Sequence, residues 1–126
     1  MTDAKTILIA DDEPNIVISL EFLMKREGFK VSIAVDGEEA IAKIRSESPD
    51  LVLLDVMMPK KSGFDVCQEV KGDPALSGTR ILMLTAKGRD TEMAKGMALG
   101  ADAYMTKPFS TRALVEQVRQ LLGLDV

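Results

Sequence analysis

Five side chains, drawn from four separate stretches of the sequence, carry groups suited to handling a phosphoryl group: the carboxylates of Asp11, Asp12 and Asp55, the hydroxyl of Thr85 and the ammonium of Lys107. Carboxylates held close together repel, and the repulsion is relieved by raised pKa values or by a cation. A hard divalent ion suits them, because Mg2+ takes oxygen ligands from one or two carboxylates, from waters and from a phosphate. A hydroxyl and a fixed positive charge opposite that ion can hold the remaining phosphoryl oxygens, with a carboxylate between them as the accepting nucleophile. These residues need a fold that brings them together.

Most of them close a short apolar run. Thr6-Ile7-Leu8-Ile9-Ala10 precedes the acidic pair, Leu51-Val52-Leu53-Leu54 precedes Asp55, Ile81-Leu82-Met83-Leu84 precedes Thr85, and a short strand over residues 103–106 precedes Lys107. Runs of about four to eight apolar residues suit strands covered on both faces, as in a parallel sheet. A further strand is expected over residues 29–35. Helical spacing fills the intervals. Ile16, Leu20 and Leu23, with Val17 and Met24, form a stripe from Pro14 to the stop at Gly28, and the acids before Pro14 suit capping and the positive end of the helix dipole. Asp36-Gly37 opens a helix with Ala40, Ile41 and Ile44, closed by Ser48-Pro49. A long loop over residues 56–63 leads to a helix with Phe64, Val66, Cys67 and Val70. The polar loop Lys87-Gly88-Arg89-Asp90 precedes a weaker helix with Met93, Ala94, Met97 and Ala98. The last helix, capped by Ser110 or Thr111, carries Leu114, Val115, Val118, Leu121 and Leu122 and stops at Gly123.

Strand and helix alternating at this spacing predict an α/β fold, a doubly wound five-stranded parallel sheet with helices on both faces. In the flavodoxin-like order 2-1-3-4-5, Asp11, Asp12 and Asp55 converge at the topological switch point, on the edge where such sheets bind ligands. A single domain is expected over residues 1–126.

Composition narrows the function classes. With 46% hydrophobic and 29% charged residues the chain reads as an ordinary globular domain. A net charge of −4 without a basic run argues against direct nucleic-acid binding. The single Cys67 and the lack of any His remove an internal disulfide, the usual zinc sets and the commonest general base. No apolar run approaches the ~18 residues of a membrane span, and the first residues lack a secretory pattern, so a cytoplasmic location without membrane association is expected.

Taken singly, each candidate has a plainer use. Asp11-Asp12-Glu13-Pro14 reads as a helix start, Thr85 as a β-branched strand residue, Lys107 as a solvated turn lysine, and Cys67, Met93, Met97 and Met105 as core. Their recurrence at successive strand ends is what sets them apart.

The pattern resembles the receiver domain of two-component response regulators, over residues 5–122. The match rests on Asp11-Asp12, on Asp55-Val56-Met57-Met58-Pro59 with Gly63 following, on Thr85-Ala86, and on Gly100-Ala101-Asp102-Ala103-Tyr104-Met105-Thr106-Lys107-Pro108-Phe109. The resemblance implies that Asp55 accepts a phosphoryl group from a phosphohistidine on a sensor kinase or phosphotransfer protein. It implies Mg2+ held by Asp12, Asp55 and the Met57 backbone carbonyl, with Asp11 acting through water. It further implies a Lys107 ammonium paired with a phosphoryl oxygen and a cis bond between Lys107 and Pro108. Thr85 and Tyr104 resemble the family's switch pair, coupling the added charge of roughly −1.5 to −2 to the face formed by the fourth helix, fifth strand and fifth helix. That face would meet an output partner, or a second copy after phosphorylation. No turnover enzyme is implied, since the chain would catalyse only its own phosphorylation and dephosphorylation. A stand-alone regulator and the amino-terminal receiver of a longer protein both fit the pattern.

Two other readings share parts of it. A flavin or nucleotide module would want a Gly- and hydroxyl-rich phosphate loop where Asp11-Asp12-Glu13 stands. A Mg2+-dependent phosphate-ester hydrolase would want a general acid near Asp55, and Met57 occupies a plausible place for one.

Overall fold

A computed structural model describes residues 4–86 and 90–124. The chain runs β1 (Thr6–Ala10), α1 (Pro14–Arg26), β2 (Lys30–Ala34), α2 (Gly37–Glu47), β3 (Leu51–Asp55), α3 (Gly63–Gly72), β4 (Arg80–Ala86), α4 (Asp90–Ala98), β5 (Ala103–Lys107) and α5 (Thr111–Leu121). All strand pairs are parallel, in the order β2-β1-β3-β4-β5. The expected fold class and strand order are therefore observed.

Side chains of a strand alternate between faces, and here the alternation splits the core in two. Leu8, Ala10, Val52, Leu54, Ile81 and Met83 pack against Ala40, Ile41 and Ile44 of α2 and Val66, Cys67 and Val70 of α3. Ile7, Ile9, Leu51, Leu53, Leu82 and Leu84 pack against Leu20, Leu23 and Met24 of α1 and Leu114 and Val118 of α5. Every residue of β3 is buried, which explains its unbroken apolar run.

Local chemistry sets most element ends. Asp36 caps α2 by accepting from the Glu39 N–H at 2.8 Å, and Ser110 caps α5 by accepting from the Ala113 N–H at 3.0 Å. Ser62 and Asp65 form a reciprocal capping box at the start of α3. Three expectations change. The strand expected over 29–35 pairs only over Lys30–Ala34, where β1 offers partners. Asp90, expected in a loop, opens α4, while the rest of that loop, Lys87-Gly88-Arg89, lies outside the described residues. At α1, Glu13 occupies the N-cap but makes no side-chain cap bond there, because its carboxylate is engaged elsewhere.

No helix among the described residues is long and apolar enough to cross a membrane.

Candidate functional site

The register β1 to β3 pairs Ala10 with Leu54, so the residues that follow, Asp11 and Asp55, emerge side by side. Asp55 pairs with Leu84 on β4, which sets Thr85 one step beyond, and Ala86 pairs with Lys107 on β5. The expected site residues thus share the carboxyl edge of the sheet. One carboxylate oxygen from each of Asp11, Asp12 and Asp55 lies within 4.8 Å of the others.

The three acids are not equivalent in burial. Asp11 is fully buried and Asp55 is 5% exposed, whereas Asp12 faces solvent. Lys107 extends across the ends of β4 and β3, its Nζ donating to Asp11 Oδ2 at 3.0 Å and to Glu13 Oε1 at 3.2 Å and lying 3.5 Å from Asp55 Oδ1. Asp11 Oδ1 accepts the Glu13 N–H at 2.9 Å, and Asp55 Oδ1 accepts the Met57 N–H at 3.4 Å. Both oxygens of Asp11 are therefore engaged. Glu13 joins the site as a counter-ion that helical patterning alone had placed at a helix start.

Burial, then the Asp11 charge, pushes the Asp55 carboxyl up to about 6, against the lowering pull of Lys107 and the Met57 N–H. Burial by itself lowers the Lys107 ammonium. Its bond to Asp11 and the charges of Asp55 and Asp11 more than offset this, so its pKa is raised.

A folded pKa of about 6 against an unfolded value of about 3.9 means that the fold binds the Asp55 proton more tightly than the unfolded chain does. The associated stability is complete below about pH 4 and is lost as pH rises through 6, a change on the order of 3 kcal/mol. In chelator, Asp55→Asn should therefore gain stability over the parent between pH 4 and pH 7, read by urea melts of both proteins. A difference that stays constant with pH would contradict this account.

Thr85 is buried at the end of β4. Tyr104 is half-buried on β5, packed against the core cluster that contains Met83. Tyr104 also lines a surface cavity of about 420 Å³ with Met93, Met105, Phe109 and Ala113, between α4, β5 and α5. The Lys107–Pro108 peptide bond is cis. Met57 is exposed, at the start of the loop leaving β3. Cys67 is buried, and burial pushes its thiol up to about 11, in keeping with a core role.

A carboxyl-edge acidic cluster with a lysine across it, on a sheet of this order, defines a class. The chain belongs to the response regulator receiver domain family, whose model matches residues 7–119. It is 46% identical over 118 residues to the alkaline phosphatase synthesis transcriptional regulatory protein PhoP of Bacillus subtilis, an alignment covering 94% of this chain and 48% of that protein. The chain thus spans about half the length of this curated relative. Among solved structures it is similar to a response regulator from Chloroflexus aurantiacus, with a TM-score of 0.92 and 35% identity over 96% of this chain and 99% of that one. A CheY-like receiver domain protein from Methanospirillum hungatei matches with a TM-score of 0.89 and 30% identity over 96% and 95% of the two chains. The protein is a receiver domain of a two-component response regulator.

Receiver domains generally bind Mg2+, and the donor set here fits that ion. It is anionic, all oxygen and already gathered, which suits a hard cation and disfavours a soft one.

Proposed function

We propose that this domain is a phosphoacceptor switch, in which Asp55 takes a phosphoryl group from a phosphohistidine on a sensor kinase or phosphotransfer protein. The observation that carries this reading is the position of Asp55, nearly buried at the end of β3 with Lys107 3.5 Å away and Asp11 alongside.

Asp12, Asp55 and the Met57 carbonyl would hold Mg2+ directly, and Asp11, whose two oxygens are already bonded, would act through water. Bound there, the ion supplies charge neutralisation for the carboxylates and for the transferring oxygens. An Asp55 carboxylate oxygen attacks phosphorus as the bond to the donor imidazole nitrogen breaks, and the departing imidazole keeps the bonding pair and takes a proton. The Lys107 ammonium shifts from its carboxylate partners to a phosphoryl oxygen. No proton need be removed from Asp55, because the nucleophile is the ionised form. That form requires a pH above about 6 or a cation.

The Thr85 hydroxyl turns to the new phosphoryl oxygens and Tyr104 turns inward, which biases the packing of α4, β5 and α5. Output partners read that face, and a second copy can too. The chain acts on itself rather than as a turnover enzyme, because Met57 stands where an acid would be needed near Asp55 to protonate an ester leaving group.

Incubation with Mg2+ and a small phosphodonor such as acetyl phosphate tests this reading by intact mass. One phosphoryl mass per chain, dependent on Mg2+, is expected. No gain with any donor would overturn the acceptor role, and many turnovers of phosphate release from small esters would favour a hydrolase.

A further inference from the structure

The start of α2 presses on the loop that leaves the acceptor aspartate. A Cβ placed on Gly37, the first residue of α2, would stand 2.1 Å from the Lys61 carbonyl oxygen, 2.5 Å from its Cβ and 2.7 Å from its carbonyl carbon. These contacts are with the loop's backbone and its nearest side-chain atom, so no flexible side chain can swing away to relieve them. The Gly37 N–H donates to the Pro59 carbonyl at 3.2 Å, and Asp36 next to it lies 3.7 Å from Lys60 Nζ. Lys60, between the two contact points, has φ 69°, a conformation that non-glycine residues seldom adopt.

The loop cannot step away as a unit. At its start, the Val56 carbonyl accepts the Gly63 N–H at 2.9 Å, and at its end Ser62 and Asp65 cap each other. Lys61 is tied to α3 through Glu69 at 3.0 Å. Nor can α2 retreat, since Ala40 and Ile44 are fully buried in the core. A displacement forced at residues 59–61 must be absorbed between the fixed points, and Met57 lies in that interval.

We propose that Gly37 is a positioning residue for the cation and phosphoryl site: its backbone seat on Pro59 and Lys61 sets where the Met57 carbonyl lies. The inference rests on the reading that Asp55 and Mg2+ act together. It adds that the tight seat exists for the site's geometry and not merely for stability.

The test is Mg2+ affinity of the whole chain by calorimetry, alongside melting in chelator. Gly37→Ala should bind Mg2+ about tenfold more weakly, the size of effect seen when groups behind metal ligands are altered. A second pair of variants works from the loop side at an exposed side chain, so that folding is kept. Lys60→Gly accepts positive φ, and Lys60→Val, being β-branched, resists it. Both remove the same charge, so the ratio of their affinities reads backbone position alone, and Val should be the weaker by about tenfold. If Gly37→Ala melts lower in chelator yet binds Mg2+ like the parent, the seat is structural and the proposal fails. Should Gly37→Ala not fold, equal affinities of the two Lys60 variants would also sink it. A parent protein that neither binds Mg2+ nor gains a phosphoryl mass would instead overturn the acceptor reading.

Discussion

Asp55→Asn is expected to gain no phosphoryl mass from Mg2+ and a small phosphodonor, while its fold should be kept. The amide has the size and shape of the carboxyl but no anionic oxygen, so it lacks the nucleophile that the transfer requires. Folding survives for a reason visible at the site. Asp55 is nearly buried and its pKa is already raised, so a neutral isostere is the form that this environment favours in the absence of metal. Lys107 is not left without a partner, because Asp11 and Glu13 still hold it at 3.0 and 3.2 Å. Intact mass and circular dichroism of parent and variant provide the check. A phosphoryl mass that persists on the variant would place the acceptor at another residue.

Asp102→Ala is expected to lose about 3 kcal/mol of stability. The Asp102 carboxylate, 18% exposed, ties three elements together at the opposite end of the sheet. Its Oδ2 accepts the backbone N–H of Ile81 at 2.8 Å and lies 2.9 Å from the ammonium of Lys71, whose side chain is only 13% exposed, and Arg80 adds a longer contact at 3.4 Å. With the Asp102 N–H donating to the Ile81 carbonyl, the residue continues the strand pairing just before β5 begins. Truncation leaves a buried N–H unsatisfied, worth about 1–3 kcal/mol, and a partly buried ammonium without its counter-ion. Lys71 retains the Ser77 and Thr79 carbonyls at 3.2 and 2.7 Å, which keeps the loss below that of a fully stranded charge. Asp102→Asn keeps an acceptor for Ile81 and should lose roughly 1 kcal/mol. Urea melts of the two variants give the comparison, and equal losses would show that the charge alone matters. A loss below 1 kcal/mol for the alanine variant would deny the network its role.

Asp102 also marks a boundary in what the chain reveals. It stood within the block that carries the family resemblance, yet nothing in its neighbours assigned it a partner. The partner is Lys71 on α3, and that contact exists only once β4 and β5 are paired. Glu13 is a similar case. Read locally, an acid before Pro14 is a helix start, but the structure spends its carboxylate on Lys107, 94 positions away in sequence. Gly37 read as a helix opener and proved to be the point where two backbones meet.

By itself the sequence determined the elements, the fold class and the strand ends at which Asp11, Asp12, Asp55, Thr85 and Lys107 stand. These follow from signals a few residues long, namely apolar runs, helical stripes and caps, while the strand order 2-1-3-4-5 was expected by likeness to flavodoxin-like sheets and is observed in the structure. Only the tertiary structure decided that Asp11 and Asp55 are buried while Asp12 is exposed, that Lys107 is shared among three carboxylates, and that α2 seats on the loop behind the site. Those facts depend on distances across strand ends and on which side of a helix meets which loop. No spacing along the chain encodes such a distance until the sheet has closed and the core has been packed.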